Sequence, residues 1–201
     1  MTRIRPYLII LILTCACAVG MGRTCAAEQE KTGGLLQDRP YSYHQWKRIH
    51  TQYTIIQYQT EDDLYRFHAS VEYGGFEWNR PAELSNLSVE DVKQMIIQKT
   101  DAIFERVQAI LDMRKKFKPP IIRIHSNRDQ LVRAYRKIYK GECRIRAWYR
   151  YRTNTVYLNV EDVHAGMVGH ELAHAVIDHY LLVKPPAQTA EILARYVDRH
   201  L

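Results

Sequence analysis

The spacing of apolar residues changes period several times along the chain. YTIIQY, Tyr53 to Tyr58, is β-branched and aromatic and predicts a strand. From Leu64 to Tyr73 two patterns overlap. Tyr65, Phe67, Ala69, Val71 and Tyr73 alternate strictly, whereas Leu64, Phe67, His68 and Val71 fit a helical stripe. The alternation favours a β-hairpin turning at Thr60-Glu61-Asp62-Asp63. A loop with Pro81 follows, from Phe76 to Leu87. Ser88 then stands as N-cap of a long helix, with Asp91 at the capping-box position. Val92, Met95, Ile96, Ile103, Val107, Ile110 and Leu111 give that helix an apolar stripe, and Pro119-Pro120 bounds it.

The second half alternates strands and helices. IIRIH, Ile121 to His125, predicts a short strand, and Ser126 or Asn127 caps a helix to about Tyr139 that Gly141 ends. Arg146 to Tyr151 and Thr155 to Asn159 flank Arg152-Thr153-Asn154 and predict a pair of strands. A helix over roughly Glu161 to Leu182 comes next. Pro185-Pro186 breaks it, and a last helix runs from Ala187 to about Arg199. The expected class is α+β, with a small mixed sheet.

Composition narrows this picture little: 46% apolar and 25% charged residues are ordinary for a globular protein. The N-terminus changes it more. Arg3 and Arg5 precede an apolar run from Tyr7 to Val19, of signal-peptide length and short for a membrane span, and small residues follow. Residues 1–27 are therefore expected to be a signal peptide, cleaved after Ala26 or Ala27. Residues 28–52 are expected to be a lead-in and 53–201 the folded domain. The implied location is extracytoplasmic, periplasmic or secreted, or membrane-anchored if the segment stays attached. Cleavage removes Arg3, Arg5 and Arg23 and lowers the net charge from +7 to +4, with 26 basic against 22 acidic residues. Cys143 is then the one cysteine left, which excludes an internal disulfide and a cysteine-based zinc site.

The chemistry concentrates in VGHELAHAVIDHY, Val168 to Tyr180. On a helix, residues four apart share a face about 6 Å apart along the axis, so His170 and His174 can address one zinc ion per chain. Glu171 lies about 100° round the helix, beside such an ion rather than on it. There it can take a proton from water and pass it to a leaving amine. The third ligand must come from further along the chain. Asp178 is on the same face but about 12 Å from His170, better suited to buttressing His174. His179 is rotated about 140° away from His174. In a helix hairpin turning at Pro185-Pro186, Glu191 comes level with His174, whereas Asp198 and His200 lie about 10 Å or more beyond that level. Glu191 is thus the geometric choice.

HELAH followed by a helix with a lone glutamate resembles the gluzincins, the thermolysin-like zinc metallopeptidases, and most of all their small, minimal bacterial members. The likeness covers Ile121 to the C-terminus. The metzincin pattern would need glycine at 177 and histidine at 180, where this chain has Ile177 and Tyr180. The resemblance implies a zincin-like fold with an active-site helix and a C-terminal glutamate helix. It implies that His170, His174 and Glu191 bind zinc, that Glu171 is the general base, and that NTVYLN is an edge strand pairing with an extended peptide or protein substrate. Where many relatives carry aspartate four residues after the ligand, this chain has Arg195. Tyr180 and Tyr196 are candidate oxyanion donors.

The expected activity is zinc-dependent peptide-bond hydrolysis outside the cytoplasm. The alternative is a non-catalytic zinc-containing binding or assembly protein of the cell envelope. Arg133 to Arg152 carries eight basic residues among aromatics. That face fits membrane or envelope association; nucleic acid is not an expected partner of an exported protein.

Overall fold

The computed structural model describes residues 45–73 and 87–201. The expected signal peptide, most of the expected lead-in and the expected loop around Pro81 lie outside them. The described part is α+β. Five strands form one mixed sheet in the order β1-β2-β3-β5-β4: β1 Lys47–His50, β2 Ile55–Tyr58, β3 Ile121–His125, β4 Trp148–Arg150 and β5 Thr155–Asn159. The three middle strands are parallel, while β1 and β4 run antiparallel to their neighbours. Five helices accompany them: α1 Glu61–Ser70, α2 Val89–Leu111, α3 Arg128–Ile138, α4 Ala165–Tyr180 and α5 Ala187–His200. Strand β1 falls inside the stretch read as a lead-in. None of the described helices is long and apolar enough to cross a membrane.

The expected hairpin over 64–73 is corrected to helix α1. Thr60 accepts the Asp63 amide, and Asp63 accepts the Thr60 amide in return, closing a capping box. Glu61, Asp62 and Asp63 put negative charge on the first turn, where the helix dipole favours it. The buried residues Asp63, Leu64, Phe67 and His68 recur at helical spacing. The rival alternation was incidental: Tyr65 is only partly buried, with its hydroxyl donating to the Leu87 carbonyl.

Where the local signals agree, the expected elements form. Ser88 and Asp91 make the capping box of α2, and Asn127 caps α3 by accepting the Gln130 amide. Helix α4 starts later than expected, at Ala165, because His164 Nδ1 accepts the Met167 amide and caps it.

The sheet divides the core by strand period. Val156 and Leu158 of β5 join the main cluster, which includes Ile56, Ile122, Ile124, Phe67, Ile103, Val168, Leu172 and Val176. Trp148 and Tyr157 join Leu131 of α3 in a second cluster, their rings stacked with centroids 4.6 Å apart. Helices α4 and α5 pack as a hairpin through Ala190, Ala194 and Val197 of α5. Gly166 permits their close approach, since a Cβ there would collide with Asp198 Oδ1.

NTVYLN is not the edge strand. β5 lies between β3 and β4 and all five of its residues are buried, so the edge is β4, Trp148–Arg150. The crossover through α3 sets β5 parallel to β3, and β4 folds against its outer side. Alternation alone predicts a pair and leaves open which member is outermost.

Candidate metal centre

Helix α4 presents His170 and His174 one turn apart, with ring centroids 5.0 Å from each other. The turn over 181–186 returns the chain as α5, which brings Glu191 level with them. Glu191 Oε2 lies 3.6 Å from His170 Nε2 and 3.5 Å from His174 Nε2. One donor atom from each of the three residues falls within a 4.8 Å span. Two imidazole nitrogens and one carboxylate oxygen are a donor set that suits zinc, and with bonds of about 2 Å such a span can close on one ion with a coordination position left open. All three side chains are half-buried.

The electrostatics suit ligands. Burial, reinforced by the neighbouring His170, holds His174 below the ordinary histidine range against the opposing pull of Glu191 and Asp178. Neutral imidazole is the form that offers a lone pair. Burial also works against ionisation of Glu191. The hydrogen bond from Arg195 Nε to Oε1, 2.9 Å long, then the charges of His170, His174 and Arg195, outweigh it and keep its carboxyl below the usual value. Glu191 thus has one oxygen held by Arg195 and the other facing the histidines.

Glu171 is 7% exposed. Burial pushes its carboxyl up to about 8; a hydrogen bond from the Tyr149 backbone opposes this, and the negative Glu191 adds to it. Tyr149 is the middle residue of β4, so the edge strand lies beside Glu171. The Tyr149 hydroxyl lies 3.3 Å from His179 Nε2 and donates to Asn154 Oδ1 at 3.0 Å.

The other candidates fall elsewhere. Asp178 pairs with Lys184 at 3.2 Å and acts on His174 through its charge. His179 stacks on Phe117, rings 4.9 Å apart. Tyr196 is half exposed and stacks on His200. Asp198 lies against Gly166 at the far end of the hairpin. Among the described residues, no contact joins Tyr180 to the cluster. Two residues escaped the sequence reading as participants. Arg195 had a legible signal, since a glutamate and an arginine four apart on a helix face each other. Tyr149 had none, because its role depends on where β4 sits in the sheet.

Comparison with protein-family models, with curated proteins and with solved structures finds no match to this chain.

Proposed function

We propose that this chain is an exported zinc metallopeptidase of the gluzincin kind, built on a zincin-like scaffold. The observation that carries the reading is the meeting of His170, His174 and Glu191, from two helices, within 4.8 Å, with Glu171 next to them in sequence and held in place. Zinc held there supplies Lewis acidity, which polarises a carbonyl oxygen and makes water acidic near neutral pH.

The chain's own residues account for the rest. His170 and His174 donate nitrogen lone pairs, and Glu191 adds an oxygen that Arg195 keeps oriented. Glu171 takes a proton from the attacking water and returns it to the departing amine. Burial raises its carboxyl to about 8, and the charge of a zinc ion beside it would lower it, into the range where a base takes up and releases a proton near neutral pH. The Tyr149 backbone fixes the Glu171 carboxylate against β4. As the sheet's outer strand, β4 is the position at which an extended peptide would add. Export is supported by Arg3, Arg5 and the apolar run from Tyr7 to Val19.

The test is casein proteolysis by the native protein and by Glu171→Gln, with zinc content measured on both. Chelator-sensitive cleavage that falls by at least about 10²-fold in the variant, with zinc retained, supports the reading. Retained zinc with no cleavage by either form favours the non-catalytic alternative. Absence of zinc from the native protein rejects both.

A further inference from the structure

One end of the molecule combines protruding aliphatic side chains with a field of cations. In the turn between α4 and α5, Leu182 is 98% and Val183 81% exposed. Tyr151, 55% exposed, stands beside them: its ring carries Lys184 Nζ 5.2 Å from the centroid and lies 5.6 Å from the His179 ring. The segment between α2 and β3 reaches the same end. Phe117 stacks on His179 at 4.9 Å, the Lys118 carbonyl accepts from Asn154 at 2.8 Å, and the Lys115 charge acts on His179. Lys115, Lys116, Lys118 and Arg152 are exposed there. None of the four is in an ion pair among the described residues.

Buried elsewhere, Leu182 and Val183 would contribute to the core; here they project from a convex helix turn. A rigid protein partner would need a matching pocket to cover such a projection, whereas a bilayer deforms around it. Aliphatic and aromatic side chains ringed by lysine and arginine match the boundary between acyl chains and anionic headgroups. We infer that this end, formed by Leu182, Val183, Tyr151, Lys184 and the 115–118 cations, docks on the surface of an anionic lipid bilayer. The inference requires nothing of the metal centre and stands if the peptidase reading fails.

The test uses the full chain with vesicles of phosphatidylcholine, alone or with about one-third phosphatidylglycerol, read by co-sedimentation and by hydroxyl-radical footprinting. The neutral vesicles report any contribution of the apolar N-terminal run, which is common to every variant. Anionic vesicles are expected to bind more protein and to protect Tyr151, Leu182 and Val183, while Ile192, exposed on α5, keeps its reactivity. Leu182→Ser with Val183→Ser should abolish the protection of Tyr151 at an unchanged melting temperature. Lys115→Gln, Lys116→Gln and Lys118→Gln together should weaken anionic binding by about fivefold per cation removed, and salt should weaken it further. Equal binding to both vesicle types, or protection of Tyr151 that survives the Leu182→Ser/Val183→Ser change, overturns the inference. So does self-association in the absence of lipid that this change abolishes, because a second copy would then be the occupant. Heparin binding as tight as vesicle binding and indifferent to Leu182 and Val183 would reduce the surface to a general polyanion site and overturns it as well.

Discussion

Glu171 and Glu191 sit in different environments, and the proposed function gives them different work. Glu171 is buried, pushed up to about 8 by desolvation, and held by the Tyr149 backbone. Glu191 is half-buried, paired with Arg195 and kept ionised. The first suits proton transfer and the second ligation. Arg195 occupies a position where the resemblance expects aspartate, and it hydrogen-bonds the carboxylate of the proposed ligand Glu191 rather than a histidine. Arg195→Ala should therefore weaken zinc binding by about 10- to 100-fold, as loss of a ligand's hydrogen-bonding partner does. Competition with a chelator of known affinity measures this, and unchanged affinity would remove Arg195 from the site. The histidines and Glu171 were legible because helical spacing alone sets their relation. Glu191 was legible only through the length of the turn at Pro185-Pro186. Tyr149 was not legible at all, since its contact is between distant parts of the chain.

At the scale of elements, caps were more informative than apolar period. The capping box expected at Ser88 forms, and a second one forms at Thr60, where a hairpin turn was expected. The hairpin expected over 64–73 gave way to α1 because a ten-residue stretch satisfies both periods while its N-terminal hydrogen bonds are compatible with one. Ser88 Oγ accepts the Asp91 amide at 3.1 Å at the solvent-facing start of α2. Ser88→Ala should destabilise the protein by about 1 kcal/mol, and Ser88→Thr, which keeps the hydroxyl that accepts the Asp91 amide and donates to the Asp91 carboxylate, should lose less. Chemical denaturation of both variants checks the order. The core side of α4 is more sensitive. Leu172 is fully buried in the main cluster, and Leu172→Ala should cost about 2–5 kcal/mol. A midpoint shift well below that range would mean that α4 packs less tightly than its burial implies.

At the scale of the whole molecule, fold class and most element types were legible, while strand order was not. Three parallel strands follow once helices separate Tyr58, Ile121 and Thr155, but the outer position of β4 depends on long-range packing against α4. The buried histidines outside the metal centre add a property of the folded state. Burial pushes His68 down to about 4, with help from Lys99, and pushes His125 down to about 4, with help chiefly from Arg123. In the unfolded chain both return to about 6.5. Below that value the unfolded chain takes up protons that the native one refuses, so their contribution is complete above about 6.5 and is lost as pH falls toward 4. The urea midpoint of chelated protein should drop between pH 7 and pH 5, and His68→Gln should shrink the drop. The central claim, however, is that α4 and α5 together hold one metal ion through His170, His174 and Glu191. Zinc stoichiometry after dialysis, measured side by side on native protein, Glu171→Gln, Glu191→Ala and Asp178→Ala, tests it most directly. The account predicts about one zinc per chain in the native, Glu171→Gln and Asp178→Ala proteins and almost none in Glu191→Ala. Zinc kept by Glu191→Ala and lost by Asp178→Ala would contradict it and place the third ligand on α4.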